Sequence, residues 1–375
     1  MSESTADAVI IGAGIVGAAC ALVLSSHGVR CAVIDAGIVG GGATSAGMGH
    51  VCVIDDSEPQ FALSSLSVGL WRELRDRLPR GAEFDGCGTL WIAANAAELD
   101  AAGRKAERLA ARGIRAELLD GASLAQAEPR LRPGLAGGLL MPDDSVVYAP
   151  VAARWMLDQA EAAGSRVRLG GSVVSIGPSR VGLENGESIS APWIISATGV
   201  WAPQLTPGLP VRPRKGHLAI SDRYPGLCRR QLVELAYITH AHGHSDESVS
   251  FNLQPRPTGQ LLIGSSRQYA GHDPAVEPRV LALVLARAID FVPALAGVHI
   301  TRAWTGFRAA TPDSLPIIGP HPAQPRLLLA TGHEGLGLTN SLGTARLVAS
   351  HMGLEPAPID PTPFLASRFR SAIHG

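Results

Sequence analysis

The chain has 375 residues, 46% of them apolar and 17% charged, and its 32 Lys and Arg against 33 Asp and Glu leave a net charge of −1. That length predicts two intimately joined domains rather than one core, and the composition excludes a disordered chain. The neutral total argues against a nucleic-acid or anionic-membrane surface as the main partner.

Five cysteines, Cys20, Cys31, Cys52, Cys87 and Cys228, are odd in number and show no CxxC spacing. They predict a reduced, cytoplasmic protein with no metal site. Between Asp7 and His27 the chain carries no charge, as a membrane helix or signal peptide would. Acidic residues precede this run and glycines interrupt it, so no transmembrane segment is expected.

Those glycines carry the first chemical motif. A β-branched run from Val9 to Ile11 turns through Gly12, Gly14 and Gly17, continues as an alanine-rich helix to about His27, and stops at Gly28. A second apolar run, Val29 to Ile34, ends in Asp35. This is a βαβ unit with GxGxxG spacing at the strand-to-helix turn. The glycines permit a tight turn and close approach of a pyrophosphate to backbone N–H groups, and the helix N-terminus adds partial positive charge. Asp35 stands where a carboxylate takes the ribose hydroxyls, which disfavours a 2′-phosphate. The site comprises Gly12, Gly14, Ile15, Val16, Gly17, Asp35 and Ala36. The competing reading is a glycine-rich turn in some other α/β protein.

No second fingerprint follows, as a flavoprotein that also bound NAD would need. Downstream lie the small residues of "GGGATSAGMGHV", suited to pass along a flat ring system. FAD fits better than NAD, against Gly42, Ala43, Thr44, Ser45, Gly47, Met48, Gly49 and His50. Ser57 and Gln60 then form a capping box, and Leu66, Leu70 and Leu74 predict a structural helix. "CGTLWIAA" and "QLLIGSSRQYAG" read as strands and residues 97–112 as an exposed helix. "GGSVVSIGPSRVGLENGESISAPWIISATG" holds a strand, a hairpin turning at Asn185-Gly186, and a buried strand ending in a small-residue loop.

In "TGFRAATPDSLPIIGP" a single guanidinium, Arg308, sits among small and apolar residues. It cannot lose its proton, so it is solvated or matched to an anion. The two readings are a salt bridge to Asp313 and a ligand's carboxylate. Last, "LLLATGHEGLGLTNSLGTARLVASH" reads as a strand, a glycine-rich loop and a helix starting near Leu338 or Thr339. Such a helix N-terminus, aimed at a flavin's pyrimidine edge, stabilises the negative charge that develops there on reduction.

The N-terminal βαβ, "GGATSAGMGH", "SVVSI", "IISATGVWAP", "WTGFRAATPDSLPIIGP" and the C-terminal segment together resemble the D-amino-acid oxidase superfamily of FAD enzymes. The likeness is to its glycine oxidase, sarcosine oxidase and bacterial D-amino-acid dehydrogenase branch. The resemblance implies an α/β fold: a Rossmann-type FAD-binding domain (1–86, 142–214 and 301–375) with an inserted substrate domain built on a mixed β-sheet (87–141 and 215–300). It places Val173 or Val174 at the adenine, Ala197, Thr198, Gly199 and Trp201 near the dinucleotide, and Gly332, His333, Gly335, Leu336, Gly337, Leu338 and Thr339 at the flavin.

It also makes Arg308 the carboxylate-binding arginine of the family's "GxRPxTxDxxPxIG" pattern, here with Ala309 in place of proline. Glycine oxidase has a second arginine where this chain has Gly335, so a glycine-specific site is not expected. "GMGHVCVIDDSEPQFAL", "GCGTLWIAA" and "FNLQPRPTGQLLIGSSRQY" resemble bacterial D-hydroxyproline dehydrogenases. The implied reaction moves a hydride from the α carbon of a D-imino or amino acid, cis-4-hydroxy-D-proline or D-proline, to flavin N5. His50, His333 and Tyr237 are either contacts in that site or packing residues.

The expected partners are the small-molecule substrate and an electron acceptor, a quinone or other carrier or O2, with no nucleic acid. Lysine near the flavin promotes oxygen reactivity in relatives, and Lys215 is the one candidate. Self-association and attachment to the inner face of the membrane stay open. The alternatives are a glycine, sarcosine or broad D-amino acid oxidase using O2, and a non-catalytic FAD-bound subunit of a heteromeric complex.

Overall fold

The computed structural model describes residues 6–235 and 247–369; Tyr237 lies outside them. The chain divides into two compact units, Met1–Ala82 with Tyr148–Pro213 and Phe307–Gly375, and Glu83–Val147 with Arg214–Gly306. The expected boundaries after residues 86, 141, 214 and 300 thus fall after 82, 147, 213 and 306. The first two shift because Asp85 and Val146 exchange backbone N–H···O bonds of 2.9 Å in both directions, which ties the neck of the insertion together.

The first unit is built on a six-stranded sheet in the order Ile317–His321, Gln324–Thr331, Trp193–Ser196, Ala8–Ile11, Cys31–Asp35, Arg166–Leu169. Only the first of these runs antiparallel to its neighbour. Ala8–Ile11 is buried on both faces, as a central parallel strand must be, and its β-branched residues suit it. The helix Ile15–Ser26 packs against helices Ala149–Ala162 and Ser341–His351; it ends where expected, with Gly28 at φ +78°. A three-stranded antiparallel sheet of Val173–Gly177, Arg180–Leu183 and Ser188–Ser190 turns at Gly186.

The helix Glu58–Leu74 starts at Ser57, whose hydroxyl accepts from Gln60 N (3.3 Å). The leucines misread its face. Leu66 and Leu70 are only half-buried, and the buried side is Gln60, Leu63, Ser64, Ser67, Val68, Trp71 and Leu74. Hydrogen bonding sets that side: Ser67 Oγ accepts from Gly343 N (3.1 Å) and Trp71 Nε1 donates to Leu338 O (3.1 Å). The C-terminal helix begins at Ser341, two or three residues later than expected.

The second unit holds a mixed eight-stranded sheet in the order Ile300–Ala310, Arg212–Ser221, Leu261–Gln268, Glu247–Pro255, Gln231–Glu234, Thr89–Ala93, Gly137–Met141, Glu117–Asp120. One face packs Leu90, Ile92, Leu232, Phe251, Leu253 and Ile263 against helix Pro278–Phe291, with Phe251 and Phe291 stacked at 4.7 Å. The helix expected over 97–112 runs over Ala96–Ala110, capped by Asn95. Lys215 is fully buried, its Nζ 3.0 Å from Glu277 Oε1 and 3.3 Å from Asp273 Oδ2. Among the described residues no helix is long and apolar enough to cross a membrane.

Gly17 admits no side chain: a Cβ there would lie 1.9 Å from Gly12 O. Gly17→Ala is expected to destabilise the protein by on the order of 3 kcal/mol or more. Gly28→Ala, in left-handed backbone with open space around it, should cost about 1–2 kcal/mol. Denaturant unfolding of the two variants checks this, and equal losses would show that the close helix-to-turn contact is not limiting.

Candidate functional site

The carboxyl ends of three parallel strands meet at the first glycine turn. Gly12 N donates to Ile34 O (2.7 Å) and Ala197 N to Ile11 O (2.8 Å), which draws the ends of Ala8–Ile11, Cys31–Asp35 and Trp193–Ser196 together. Gly12 adopts φ +108°, and a Cβ on it would lie 2.5 Å from Ala197 O. Asp35 is oriented by two amides: its Oδ2 accepts from Ala13 N and its Oδ1 from Gly37 N, each at 2.7 Å. Both oxygens keep lone pairs for further donors.

Helix Ile15–Ser26 has no capping side chain of its own. Its first amide, Ile15 N, is instead held by Thr44 Oγ1 at 3.0 Å, and a Cβ on Gly14 would come within 3.3 Å of that hydroxyl. The βαβ turn and residues 40–51 therefore form one cradle. Ile15 is buried and Val16 half-buried; Ala36, Gly42, Ala43, Ser45 and Gly47 are exposed along it, and Met48 and Gly49 buried. Val173 is half-buried, while Val174 and Trp201 are 57% and 45% exposed. Ala197, Thr198 and Gly199 are tied to the last strand by Thr331 Oγ1, which donates to Gly199 O (2.7 Å).

The loop after Thr331 closes on the same region. Thr339 Oγ1 donates to His50 O (2.8 Å), and Leu336 N to His333 O (2.9 Å). Gly337 and Leu338 are half-buried, and Gly332 stands at φ +76°. His333 is 6% exposed with Nε2 2.9 Å from Thr344 Oγ1, and burial pushes its pKa down to about 4. His50 is half-buried overall, but its Nε2 is screened from solvent without a partner, and burial pushes its pKa down to about 3. Both rings are neutral at pH 7.

Arg308 lies half-buried on the strand Ile300–Ala310. The acid nearest to it in sequence is taken: Asp313 accepts from Arg368 Nε at 2.7 Å and Nη2 at 3.2 Å. The next residue, Ala309, accepts from Glu334 N (2.9 Å), and Glu334 is held at φ +48°, unusual for a residue with a side chain. This places Gly335 beside the arginine, where a Cβ would lie 3.7 Å from Arg308 Nε and 3.8 Å from its Cδ.

Two features escaped the sequence reading. Glu334 sits between residues that were singled out, and only its backbone conformation marks it. Asn340 at the start of helix Ser341–His351 is fully buried with both amide atoms unpartnered. A polar residue directly before a helix is its one sequence signal.

The chain matches the FAD dependent oxidoreductase family over residues 7–351. It belongs to that family. It is 27% identical over 417 residues to hydrogen cyanide synthase subunit HcnC of Pseudomonas aeruginosa, covering 98% of this chain and 97% of that one. It is 31% identical over 302 residues to D-amino acid dehydrogenase of Xanthobacter autotrophicus, covering 76% and 68%. Glycine oxidase of Geobacillus kaustophilus is 28% identical over 381 residues, covering 96% and 97%. The crystal structure of that oxidase superposes with a TM-score of 0.89 at 26% identity, covering 98% and 99%.

The cofactor is FAD, and the cradle fits it: a turn whose Gly12 and Gly14 leave the backbone uncovered, a pre-oriented Asp35, and unpartnered polar atoms on His50 and Asn340.

Because His333 is neutral when folded, the unfolded chain takes up a proton below pH 6.5 while the folded one does not until about pH 4. The stabilisation is complete above pH 6.5 and is lost as the pH falls towards 4, by on the order of 3 kcal/mol. Unfolding titrations of the apoprotein at pH 7 and 4.5 should show a smaller acid loss in His333→Gln than in the wild type. Identical losses would remove His333 as the cause.

Proposed function

We propose that this chain uses FAD to oxidise a cyclic D-imino acid, cis-4-hydroxy-D-proline or D-proline, at the α carbon to a cyclic imino acid. We further propose that it passes the electrons to a quinone or other carrier. The observation that carries this reading is Gly335 beside Arg308: one guanidinium for a carboxylate, and a neighbouring residue that adds no side chain of its own. A rigid fork binding a carboxylate through two hydrogen bonds fixes the α carbon, so that one C–H bond is held in a single direction. Bound FAD supplies the acceptor for the hydride. The reacting amine is neutral, so no general base is required.

In this reading the cradle residues hold FAD and Arg308 holds the substrate's carboxylate. The neutral His50 and His333 line the cradle without adding charge. The likeness to D-amino acid dehydrogenase and glycine oxidase supports an amino acid as substrate class. The likeness to glycine oxidase also favours a second reading, an oxidase using O2. The pairing of Lys215 with Glu277 and Asp273 supports the dehydrogenase, because its ammonium is already engaged. The subunit name of the Pseudomonas relative keeps a heteromeric, non-catalytic role as a third reading, which turnover by the isolated chain would eliminate. All five cysteines are free, which supports a cytoplasmic setting.

An anaerobic flavin-bleaching screen across D- and L-proline, both hydroxyproline epimers, sarcosine, glycine and D-alanine tests the substrate class. A D-imino acid should reduce the flavin fastest, and the reading fails if none does. Arg308→Ala should keep its yellow FAD and lose roughly 10²–10³-fold in kcat/KM; unchanged kinetics would remove Arg308 from the site.

A further inference from the structure

The loop between strand Gln324–Thr331 and helix Ser341–His351 is fastened at both ends. Near its start Glu334 N donates to Ala309 O (2.9 Å), and near its end Thr339 Oγ1 donates to His50 O (2.8 Å). Between these anchors the chain runs through Gly335, Leu336, Gly337 and Leu338. Two glycines in four residues leave few side chains to pack this stretch into one shape.

His333 supplies the missing support. Leu336 N donates to His333 O (2.9 Å), and a Cβ on Gly337 would lie 3.7 Å from His333 Cβ, so the returning half of the loop rests on this residue. The ring itself is buried and reaches past the loop to the helix, with Nε2 2.9 Å from Thr344 Oγ1. Thr344 is fully buried, and its own N closes the first turn of the helix on Asn340 O (2.9 Å). The bond to the ring holds in either tautomer, because a hydroxyl both donates and accepts. One hydrogen bond thus ties the middle of the loop to the first turn of the helix that follows.

What this tie holds is a set of open donors. Among the described residues, the amides of Gly337, Leu338 and Thr339 donate to no group of the chain. Three successive free N–H groups directly before a helix add to the partial positive charge of its N-terminus.

We propose that His333 is a positioning residue: acting through Thr344, it fixes the direction of the Gly337, Leu338 and Thr339 amides and so sets how strongly they stabilise negative charge on a bound flavin. The inference rests on the reading that places this loop at the flavin, and it assigns the ring a role that needs no contact with flavin or substrate. Preorganised donors stabilise developing charge only while their direction is held.

Two readouts test it, neither of which uses a substrate, so a failed amino-acid screen leaves both standing. Amide hydrogen exchange of the apoprotein over residues 332–340 should quicken by up to about tenfold in Thr344→Val, which keeps the shape of the side chain and removes its hydroxyl. The wild-type rate should return in Thr344→Ser. The midpoint potential of the holoenzyme's flavin, titrated against reference dyes, should fall in Thr344→Val by about tenfold in the reduction equilibrium, about 30 mV for a two-electron couple, and Thr344→Ser should restore it. Adding His333→Leu to Thr344→Val should change the potential no further, since both remove one interaction. Thr344→Ala serves if Thr344→Val does not fold. Unchanged exchange in the hydroxyl-free variant overturns the anchor, and quickened exchange with an unchanged potential overturns its role at the flavin. A potential shift in His333→Leu that Thr344→Val does not share also overturns the proposal, by making His333 a direct contact of the flavin.

Discussion

The first unit depends on one close approach, the contact of the helix Ile15–Ser26 with the turn that precedes it. Gly17 lies so near Gly12 O that a Cβ would sit 1.9 Å away, and this closeness fixes where the turn's amides point. Ala13 N is thereby brought to Asp35 Oδ2 and Gly12 N to Ile34 O. Asp35 in turn holds Gly37 N with its other oxygen, so strand end, acid and following loop share one geometry. A crevice at the carboxyl ends of parallel strands follows, where open α/β sheets bind their ligands.

Residues far along the chain are fastened to this crevice by single polar contacts. Thr339 reaches His50 O, Thr331 reaches Gly199 O, and Trp71 reaches Leu338 O. Arg308 is placed by the strand Ile300–Ala310, whose Ala309 is buried and bonded to Glu334. The left-handed Glu334 brings Gly335 beside the guanidinium. Backbone strain of this kind is held only where the surrounding structure over-determines it. Here the buried end of the strand, Ala309 and Ala310, on one side and Gly332, packed against Thr311, on the other supply that constraint.

What the sequence made legible was whatever a short-range rule encodes. The glycine spacing, the stop at Gly28, the cap at Ser57 and the Asn185-Gly186 turn each follow from local backbone chemistry, and each element lies within a few residues of its expected position. Arg308 stood out because an arginine among small residues demands an anion. The buried face of Glu58–Leu74 was not legible, since Ser67 and Trp71 are turned inward by partners more than 260 residues away. Thr44 as the substitute cap of the first helix and Arg368 as the partner of Asp313 are likewise long-range facts. So is the burial of polar residues in the second sheet. Asn252 and Gln254 alternate with apolar residues as any half-exposed strand would, and their near-complete burial appears only in three dimensions.

The electrostatics of the first unit narrow the chemistry further. His50 and His333 are held neutral by burial, and Arg30, Arg154, Arg168, Arg346 and Arg368 are each paired with an acid. The helices Ile15–Ser26 and Ser341–His351 have no acid in their own first turns; at the first, Thr44 and Asp35 hold the amides of Ile15 and Ala13, and the other N–H groups of the turn keep the partial positive charge of a helix start. In the proposed reading an anionic cofactor and a developing negative charge would be met chiefly by backbone amides and fixed dipoles rather than by titrating side chains. Such a field changes little with pH above the depressed histidine range. It also needs no rearrangement when charge develops, the condition under which electrostatic stabilisation is most effective.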